Sequence, residues 1–399
     1  MNSNIAKLYQ MAQKPERLII GLMSGTSLDG LDIALCSCKG AGATTKIEVL
    51  NFVTKSYDEI FRADIKSVFA KRDADLEKVC LLNEVIAVKH AALILETLQE
   101  WGIEPASIDL IASHGQTIFH APRILHRQEA YPNGTLQIGD GDHLAVHTGV
   151  ITVSDFRQKH VAAGGEGAPL AVYGDYLIFS CAGEDRIMLN IGGIANFTFL
   201  PGDGDASRVF STDVGPGNTL MDQIVQVHYP GQYYDRHAEK AQAGTVHAGL
   251  LAALLDHDFF DAHFPKTTGP ELFSLSYVRE AQQKSHTIAL RNEDLLATLC
   301  HFTAQGIIKA VRAGMNAMHH PVIYMSGGGM HNPLLVRLLQ EGLPGLQFKT
   351  TADLAILPDA KEAVLFALLA NETVAGTPVN FGKRTGVPSV CMGKISFPG

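Results

Sequence analysis

Residues Leu18 to Leu35 read as an apolar strand, a turn dense in Gly, Ser, Thr and Asp, and a second apolar strand. The turn, Ser24-Gly25-Thr26-Ser27-Leu28-Asp29-Gly30, leads into Leu31-Asp32-Ile33-Ala34. Glycines allow positive φ and close approach of a ligand to the backbone. Successive N–H groups in such a turn form a concave anion nest. The Thr26 and Ser27 hydroxyls, with the Asp29 and Asp32 carboxylates beside them, suit a magnesium nucleotide. The loop lacks the G-x-x-x-x-G-K-[ST] pattern and no helix follows it, so it is not a Walker A loop. Taken alone, the segment also suits an ordinary hairpin with a polar turn.

A related unit recurs. Arg186 to Leu200 is again strand, turn with Gly192 and Gly193, and strand, with Asn196 in the second strand. A third cluster, Gly327-Gly328-Gly329, follows the apolar run Val322-Ile323-Tyr324-Met325. Glycine turns after strands are common individually. Together they fit a duplicated α/β fold in which two hairpins grip phosphates across a cleft and the third cluster approaches the nucleoside. That layout is similar to the actin, Hsp70 and sugar-kinase superfamily, an analogy of fold.

Eight blocks in order narrow the resemblance: GLMSGTSLDGLD, SHGQTIFH, LQIGDGDHLA, SDFRQKHVAAGGEGAPL, NIGGIANFT, STDVGPGNTLMD, SGGGMHNPLL and DAKEAVLFALLA. They run from about Gly21 to Gly393 and resemble the anhydro-N-acetylmuramic acid kinases. The resemblance implies ATP and Mg²⁺ as cofactors. It implies a substrate whose O6 is tied to C1 in an anhydro bridge, and N-acetylmuramic acid 6-phosphate plus ADP as products. This is a step in recycling cell-wall peptidoglycan sugars. A homodimer is a family expectation only.

Composition agrees with a globular enzyme. The chain has 399 residues, 46% hydrophobic and 18% charged, with a formal net charge of −9. That balance, without a Lys/Arg block, argues against nucleic acid. The six cysteines lack C-x-x-C pairing, so neither a disulfide framework nor a zinc site is expected. Cys36 and Cys38 share one face of a strand and read as buried small apolar residues. No signal peptide and no run of about 18 apolar residues is found. The expectation is a reduced, cytoplasmic protein without a membrane partner.

Along the chain, Leu76 to Trp101 has helical spacing of Leu81, Leu82, Val85, Val88, Leu93 and Leu98, with Gly102 placed to stop it. Ile108 to Ser113 is a buried strand ending at His114-Gly115-Gln116-Thr117, and Val150 to Ser154 is another ending at Asp155. Polar groups just past strand C-termini are where open α/β sheets hold ligands. Helices are expected over Pro169–Ser180, Asp294–Met318 and Ala360–Ala375. The expected division is 14–183 for a first domain with the first hairpin and the catalytic Asp, and 184–360 for a second with the other two glycine clusters. A tail, 361–399, packs back on the first half.

Asp155 is the leading candidate for the catalytic base, because superfamily sugar kinases place an Asp at this point. By its position it could equally cap the following helix or pair with Arg157. The ATP set comprises Gly25, Thr26, Ser27, Leu28, Asp29, Gly30, Leu31, Asp32, Gly192, Gly193, Asn196, Gly327, Gly328 and Gly329. Asp29 and Asp213 are candidates for Mg²⁺ or for water on it, with Asp213 in a rigid turn that also reads as an Asx-turn. His120, Asp155, Asp213 and Glu362 are the substrate set, with His114 as a further lining residue. Glu362 faces the sugar by resemblance and is otherwise a first-turn helix Glu. Arg123 and Arg127 suit the lactyl carboxylate of a muramic acid, or are solvated loop arginines. Competing readings are a kinase for another 1,6-anhydro sugar such as levoglucosan, a non-catalytic nucleotide switch, and a glycosidase built on Asp155 and Glu362.

Overall fold

Two sheets with one shared strand plan organise the chain. A computed structural model describes residues 1–25, 28–168, 170–269, 272–315, 318–382 and 386–399. The strands are β1 (Glu16–Ser24), β2 (Gly30–Lys39), β3 (Lys46–Ser56), β4 (Leu110–Ala121), β5 (Gly134–Ile138) and β6 (Thr152–Ser154), then β7 (Arg186–Ile191), β8 (Ile194–Leu200), β9 (Phe210–Pro216), β10 (Val322–Ser326), β11 (Phe348–Thr350) and β12 (Lys394–Ser396). The chain divides into a first unit, Met1–Ile178 with Ala355–Gly399, and a second, Phe179–Leu354.

In the first unit the order is β12-β6-β4-β1-β2-β3, with β5 paired to β4. In the second it is β11-β10-β7-β8-β9. Each sheet opens with an antiparallel meander (β1-β2-β3, β7-β8-β9), and its first strand then takes a parallel neighbour (β4, β10). A further parallel strand (β6, β11) completes each plan. The duplication expected from the two hairpins is therefore a duplication of topology, and the fold is the expected actin/Hsp70/sugar-kinase-like α/β type. Parallel neighbours need long crossovers, usually helical. Between β3 and β4 these are helices Glu59–Val68 and Leu76–Trp101; between β9 and β10 they include Asn292–Gly314.

Local chemistry explains the element ends. Helix Leu76–Trp101 begins where the Asp75 carboxylate accepts the Lys78 N–H. It stops at Gly102, which is left-handed at φ 67° and returns its N–H to the Leu98 and Gln99 carbonyls. Its buried face differs from the one expected. Leu82 and Leu98 are inside with Ile86, His90, Ala91 and Ile94, whereas Leu81, Val85 and Val88 are exposed. Both faces are apolar, so spacing alone could not choose between them. Helices Ala171–Phe179 and Lys361–Ala375 fall within the expected segments, whereas Asn292–Gly314 begins two residues before the expected Asp294–Met318 and ends four residues short of it. Asp213 is a correction: it lies within strand β9, not in a turn. Cys36 and Cys38 are buried, as expected, and burial pushes the Cys38 thiol up to about 12. No described helix is long and apolar enough to cross a membrane.

The last helix, Lys361–Ala375, lies in the first unit against β1. It comes so near that a Cβ on Gly21 would sit 1.9 Å from the Ala363 carbonyl oxygen and 3.1 Å from the Ala367 methyl. The obstacle is backbone and cannot swing away. The same helix is anchored by the buried Arg17, which donates from Nε to Asn371 Oδ1 at 2.7 Å and from another guanidinium nitrogen to the Gly40 carbonyl at 2.6 Å. Overpacking in a dense core costs about 1–3 kcal/mol and sometimes more. Gly21→Ala is therefore expected to lower the thermal midpoint by several degrees, since helix and strand must separate. A Gly21→Ala midpoint equal to wild type in a calorimetric scan would contradict this packing.

Candidate active site

The parallel strands of the first unit place their C-terminal ends in a row. Leu22 lies opposite Ser113, and Ser113 opposite Ser154. The hairpin turn after β1, the His114–Gln116 stretch of β4, and Asp155 after β6 consequently emerge along one edge, the expected ligand edge of such a sheet.

Asp155 is left-handed, at φ 53° and ψ 47°, immediately before helix Phe156–Ala162. That conformation is uncommon for a residue with a Cβ, and Asp and Asn tolerate it best. Its side chain makes no helix-capping hydrogen bond, so the cap reading does not hold. Arg157 is not its partner either. That guanidinium donates from Nε to His114 Nε2 at 3.1 Å and from a terminal nitrogen to the Gly167 carbonyl at 2.7 Å. The cation on Asp155 is Lys394, whose Nζ lies 2.5 Å from Oδ2. Lys394 comes from the edge strand β12, and sequence reasoning missed it. Asp155, Lys394, His114, Gln137 and Ser154 line a cavity of about 310 Å³.

Arg157 organises the titratable groups nearby. It donates to His114 Nε2, so that nitrogen is bare and the ring is neutral; burial first, then the cation, holds the His114 pKa down at about 3. Burial lowers His120 in the same way, with Arg157 adding to it. Glu362 opens helix Lys361–Ala375 and remains accessible to solvent, yet desolvation among crowded neighbours raises its carboxyl pKa. Arg157 and Lys361 pull the other way. His114, Arg157 and Glu362 thus form one electrostatic group, of which His114 lines the cavity with Asp155. Arg123 and Arg127 are exposed, Arg123 in the short helix Arg123–His126 and Arg127 at its left-handed end.

At the first hairpin, Leu28 is left-handed at φ 58° and returns its N–H to the Gly25 carbonyl at 3.4 Å. Leu28 and Leu31 are buried and anchor the turn from below, while Asp29 is exposed. Gly30 is needed by strand pairing, since a Cβ there would lie 2.5 Å from the Lys55 carbonyl oxygen. The expected hydroxyls of Thr26 and Ser27 lie outside the described residues. Asp32 accepts a hydrogen bond from Thr54 Oγ1 at 2.6 Å. Its pKa is nevertheless pushed up to about 6, by burial first and then by the Asp29, Glu362 and Asp359 charges. Among the described residues no cluster of three or more His, Cys, Asp or Glu is arranged to hold a metal. Mg²⁺ is commonly bound through one or two carboxylates and several waters, so the crowd at Asp29 and Asp32 still fits it.

The second unit gathers the other glycine clusters. Gly217 and Asn218 donate their N–H groups to the Gly193 and Gly192 carbonyls, each at 2.8 Å. Gly327 is left-handed, and a Cβ on it would lie 2.7 Å from Asn190 Oδ1. A Cβ on Gly329 would lie 2.2 Å from Ile191 Cγ2. Gly192, Gly193, Asn218 and Gly327–Gly329 therefore surround the end of β7. Asn196 stands opposite Asn190 on one side and Asp213 on the other. Asp213 Oδ2 accepts the Thr268 N–H at 2.8 Å, a structural duty invisible in the sequence. Gly193 is unsuited to a clean substitution, because a Cβ would lie 2.5 Å from Thr219 Oγ1. At Gly192 the nearest such atom is the Ile194 carbonyl oxygen at 3.6 Å.

The Asp32 environment gives a signed pH dependence. A raised folded-state carboxyl binds protons more tightly than the unfolded one. Its contribution is therefore unfavourable once pH exceeds the folded value near 6, and it vanishes below about 4, where both states are protonated. Asp32→Asn is expected to stabilise the free protein at pH 8 by roughly 1–2 kcal/mol after discounting for partial exposure. At pH 4 the gain disappears. Denaturant titrations at both pH values test this, and a gain that does not change between them would refute the carboxylate crowding.

Comparison with known proteins follows the same lines. A family model described as "Anhydro-N-acetylmuramic acid kinase" matches residues 17–398. The chain is 54% identical over 400 residues to an anhydro-N-acetylmuramic acid kinase of Pseudoalteromonas atlantica, covering 100% of each chain. It is 52% identical over 399 residues to the protein of that name from Pseudoalteromonas translucida, again covering 100% of each. A third, from Caldanaerobacter subterraneus, is 39% identical over 394 residues, covering 98% of this chain and 100% of its own. Similarity of this extent spans both sheets, both hairpins and the tail that carries Lys394, and the chain belongs to the anhydro-N-acetylmuramic acid kinase family.

Proposed function

We propose that this enzyme phosphorylates O6 of 1,6-anhydro-N-acetylmuramic acid from ATP while water opens the anhydro bridge, and that Asp155 is the base that activates the water. The observation that carries the assignment is the left-handed Asp155 at the end of β6, which makes no helix cap and faces a cavity. Water gives a proton to the Asp155 carboxylate as its oxygen attacks C1. The C1–O6 bond breaks, O6 takes the γ-phosphoryl group, and ADP leaves. Lys394 holds Oδ2, which fixes the carboxylate's orientation and leaves Oδ1 for the proton. His114, neutral and fixed by Arg157, and the accessible Glu362 and His120 supply polar contacts for the sugar.

For ATP, the support in the first unit is the described part of the hairpin turn, Gly25 with Leu28–Asp32, and in the second unit the glycine cluster, where Gly192 and Gly328 have no protein atom within 3.5 Å of an added Cβ. Magnesium, when bound, would offset charge on the transferring phosphoryl group. Asp29, with Asp32 behind it, suits a direct or water-bridged contact; Asp213, already engaged with Thr268, suits one through water.

Asp155→Asn is the decisive variant, because Asn tolerates the left-handed backbone that this position needs. General-base assistance is typically worth 10²–10⁴-fold, and turnover should fall by at least roughly that range while ATP still binds. In wild type, ¹⁸O from water should enter the product at C1, read promptly before exchange, and stay out of the phosphate. Near-normal turnover of the variant, or label only in the phosphate, would end this mechanism. Activity on levoglucosan equal to that on the muramic sugar would refute the substrate assignment.

Gly192→Ala tests the nucleotide assignment separately. A Cβ has room there in the fold, so the thermal midpoint should hold while affinity for Mg-ATP drops about tenfold or more, as for a clash worth roughly 1.4 kcal/mol. Unchanged affinity in the folded variant would remove this turn from the ATP site.

A further inference from the structure

A chain of four buried polar side chains runs beneath the first hairpin, and the catalytic scheme above uses none of them. Tyr57, just past the end of β3, donates its backbone N–H to the Asp29 carbonyl at 3.0 Å. Its hydroxyl meets Ser24 Oγ at 2.9 Å and His90 Nε2 at 2.7 Å. Ser24 donates to Gln116 Oε1 at 2.6 Å. Gln116 in turn offers Nε2 to the Gly25 carbonyl at 3.4 Å, the same oxygen that closes the turn with Leu28. Tyr57 thus holds both stems of the turn, Asp29 through its backbone and Ser24 through its side chain, with Gly25 reached through Gln116.

The order of protons along the chain is forced. Gln116 Oε1 can only accept, so the Ser24 hydrogen points there. The Tyr57 hydrogen then points to Ser24. A phenol has one hydrogen, so His90 must donate Nε2–H to the Tyr57 oxygen, which leaves Nδ1 bare. The structure agrees: His90 Nδ1 has no hydrogen-bond partner. Burial holds the His90 pKa down near 3, so this neutral tautomer persists at working pH. All four side chains are buried, with Gln116 and His90 at 0% and 1% exposure. Apolar residues of similar volume would stabilise such a core at least as well. A fully ordered polar chain instead fixes one geometry.

We propose that Tyr57 and His90 are positioning residues for the phosphoryl donor: a one-way donor chain, His90 to Tyr57 to Ser24 to Gln116, sets the Gly25 carbonyl and, with the Tyr57 N–H, fixes Ser24 and Asp29 on either side of the hairpin turn for the nucleotide. This rests on the assignment of that turn to ATP. Neither residue touches substrate, so their loss acts on nucleotide affinity and not on the chemistry at C1.

Steady-state kinetics with Mg-ATP and the anhydro sugar, alongside calorimetric midpoints, test the proposal. Tyr57→Phe and His90→Leu should each raise KM for Mg-ATP roughly 5- to 20-fold, the equivalent of one buried hydrogen bond or somewhat more. KM for the sugar should stay within about twofold, the discrimination expected if sites away from the turn are undisturbed. His90→Gln keeps an N–H donor and should recover most of the loss seen with His90→Leu. Parallel rises in both KM values, with lowered midpoints, would reduce the chain to a stability element and overturn the proposal. Failure of Gln to recover the loss would overturn the donor order. Asp29→Asn separates the two layers. If it weakens Mg-ATP binding while Tyr57→Phe does not, the clamp fails and the hairpin assignment stands. If Asp29→Asn and Tyr57→Phe both leave Mg-ATP binding unchanged, both fail together.

Discussion

Parallel pairing beside the hairpin strand is the constraint on which the rest of this protein depends. Because β4 runs with β1, and β6 runs with β4, three chain segments far apart in sequence reach the same edge of the first sheet. That edge carries the hairpin turn, His114 with Gln116, and Asp155. Were β6 antiparallel to β4, Asp155 would leave from the opposite edge. The register of β1 on β4 also slips between Leu22 and Ser24, at the row where Ser24 meets Gln116. Irregular pairing re-aims side chains, and it recurs beside active sites. The second sheet repeats the device: Ser326 lies opposite Asn190, so Gly192 and Gly327 follow from one edge.

The sequence made the local part of this arrangement readable. Hairpins are legible because apolar alternation and a glycine-rich turn lie within twenty residues of each other. The helix Leu76–Trp101 and its Gly102 stop were legible for the same reason. The burial of that helix was not, because Leu81, Val85 and Val88 make a second apolar face, and only the sheet decides which face is covered. Asp155 could be singled out from a strand end followed by a helix start. Its partner could not, since Lys394 lies 239 positions away and joins it only through β12. Asp213 was misplaced because Gly215, Pro216 and Gly217 signal a turn, whereas pairing with β8 holds Phe210–Pro216 extended. Tyr57 and His90 carry no motif at all. Each reads as an ordinary core residue until the hydrogen bonds between them are seen.

Charge is distributed so that the hairpin and Asp155 sit in different fields. Asp29, Glu362 and Asp359 add to the cost of ionising Asp32, which is the environment a divalent cation relieves. Asp155 instead has Lys394 in contact, and Arg157 is directed to His114 and the Gly167 carbonyl. Lys394 therefore fits a group that orients the Asp155 carboxylate. Its side chain is largely exposed, which weakens the pair through solvent screening.

The glycines separate into those the fold needs and those it leaves room to replace. Gly21, Gly30, Gly217, Gly327 and Gly329 each lack space for a Cβ because protein atoms stand within 3 Å of it. Folding alone accounts for them. Gly192 and Gly328 have no such obstacle, the nearest atoms lying at 3.6 Å in both cases. Neither has the positive φ that would exclude a side chain. A glycine with room for a methyl group and an ordinary backbone carries an entropy cost in the unfolded chain with no return in the folded one. Close approach of a ligand to the backbone supplies that return. Gly192 and Gly328 therefore point to the nucleotide more directly than the crowded glycines beside them, although all of them look alike in the sequence.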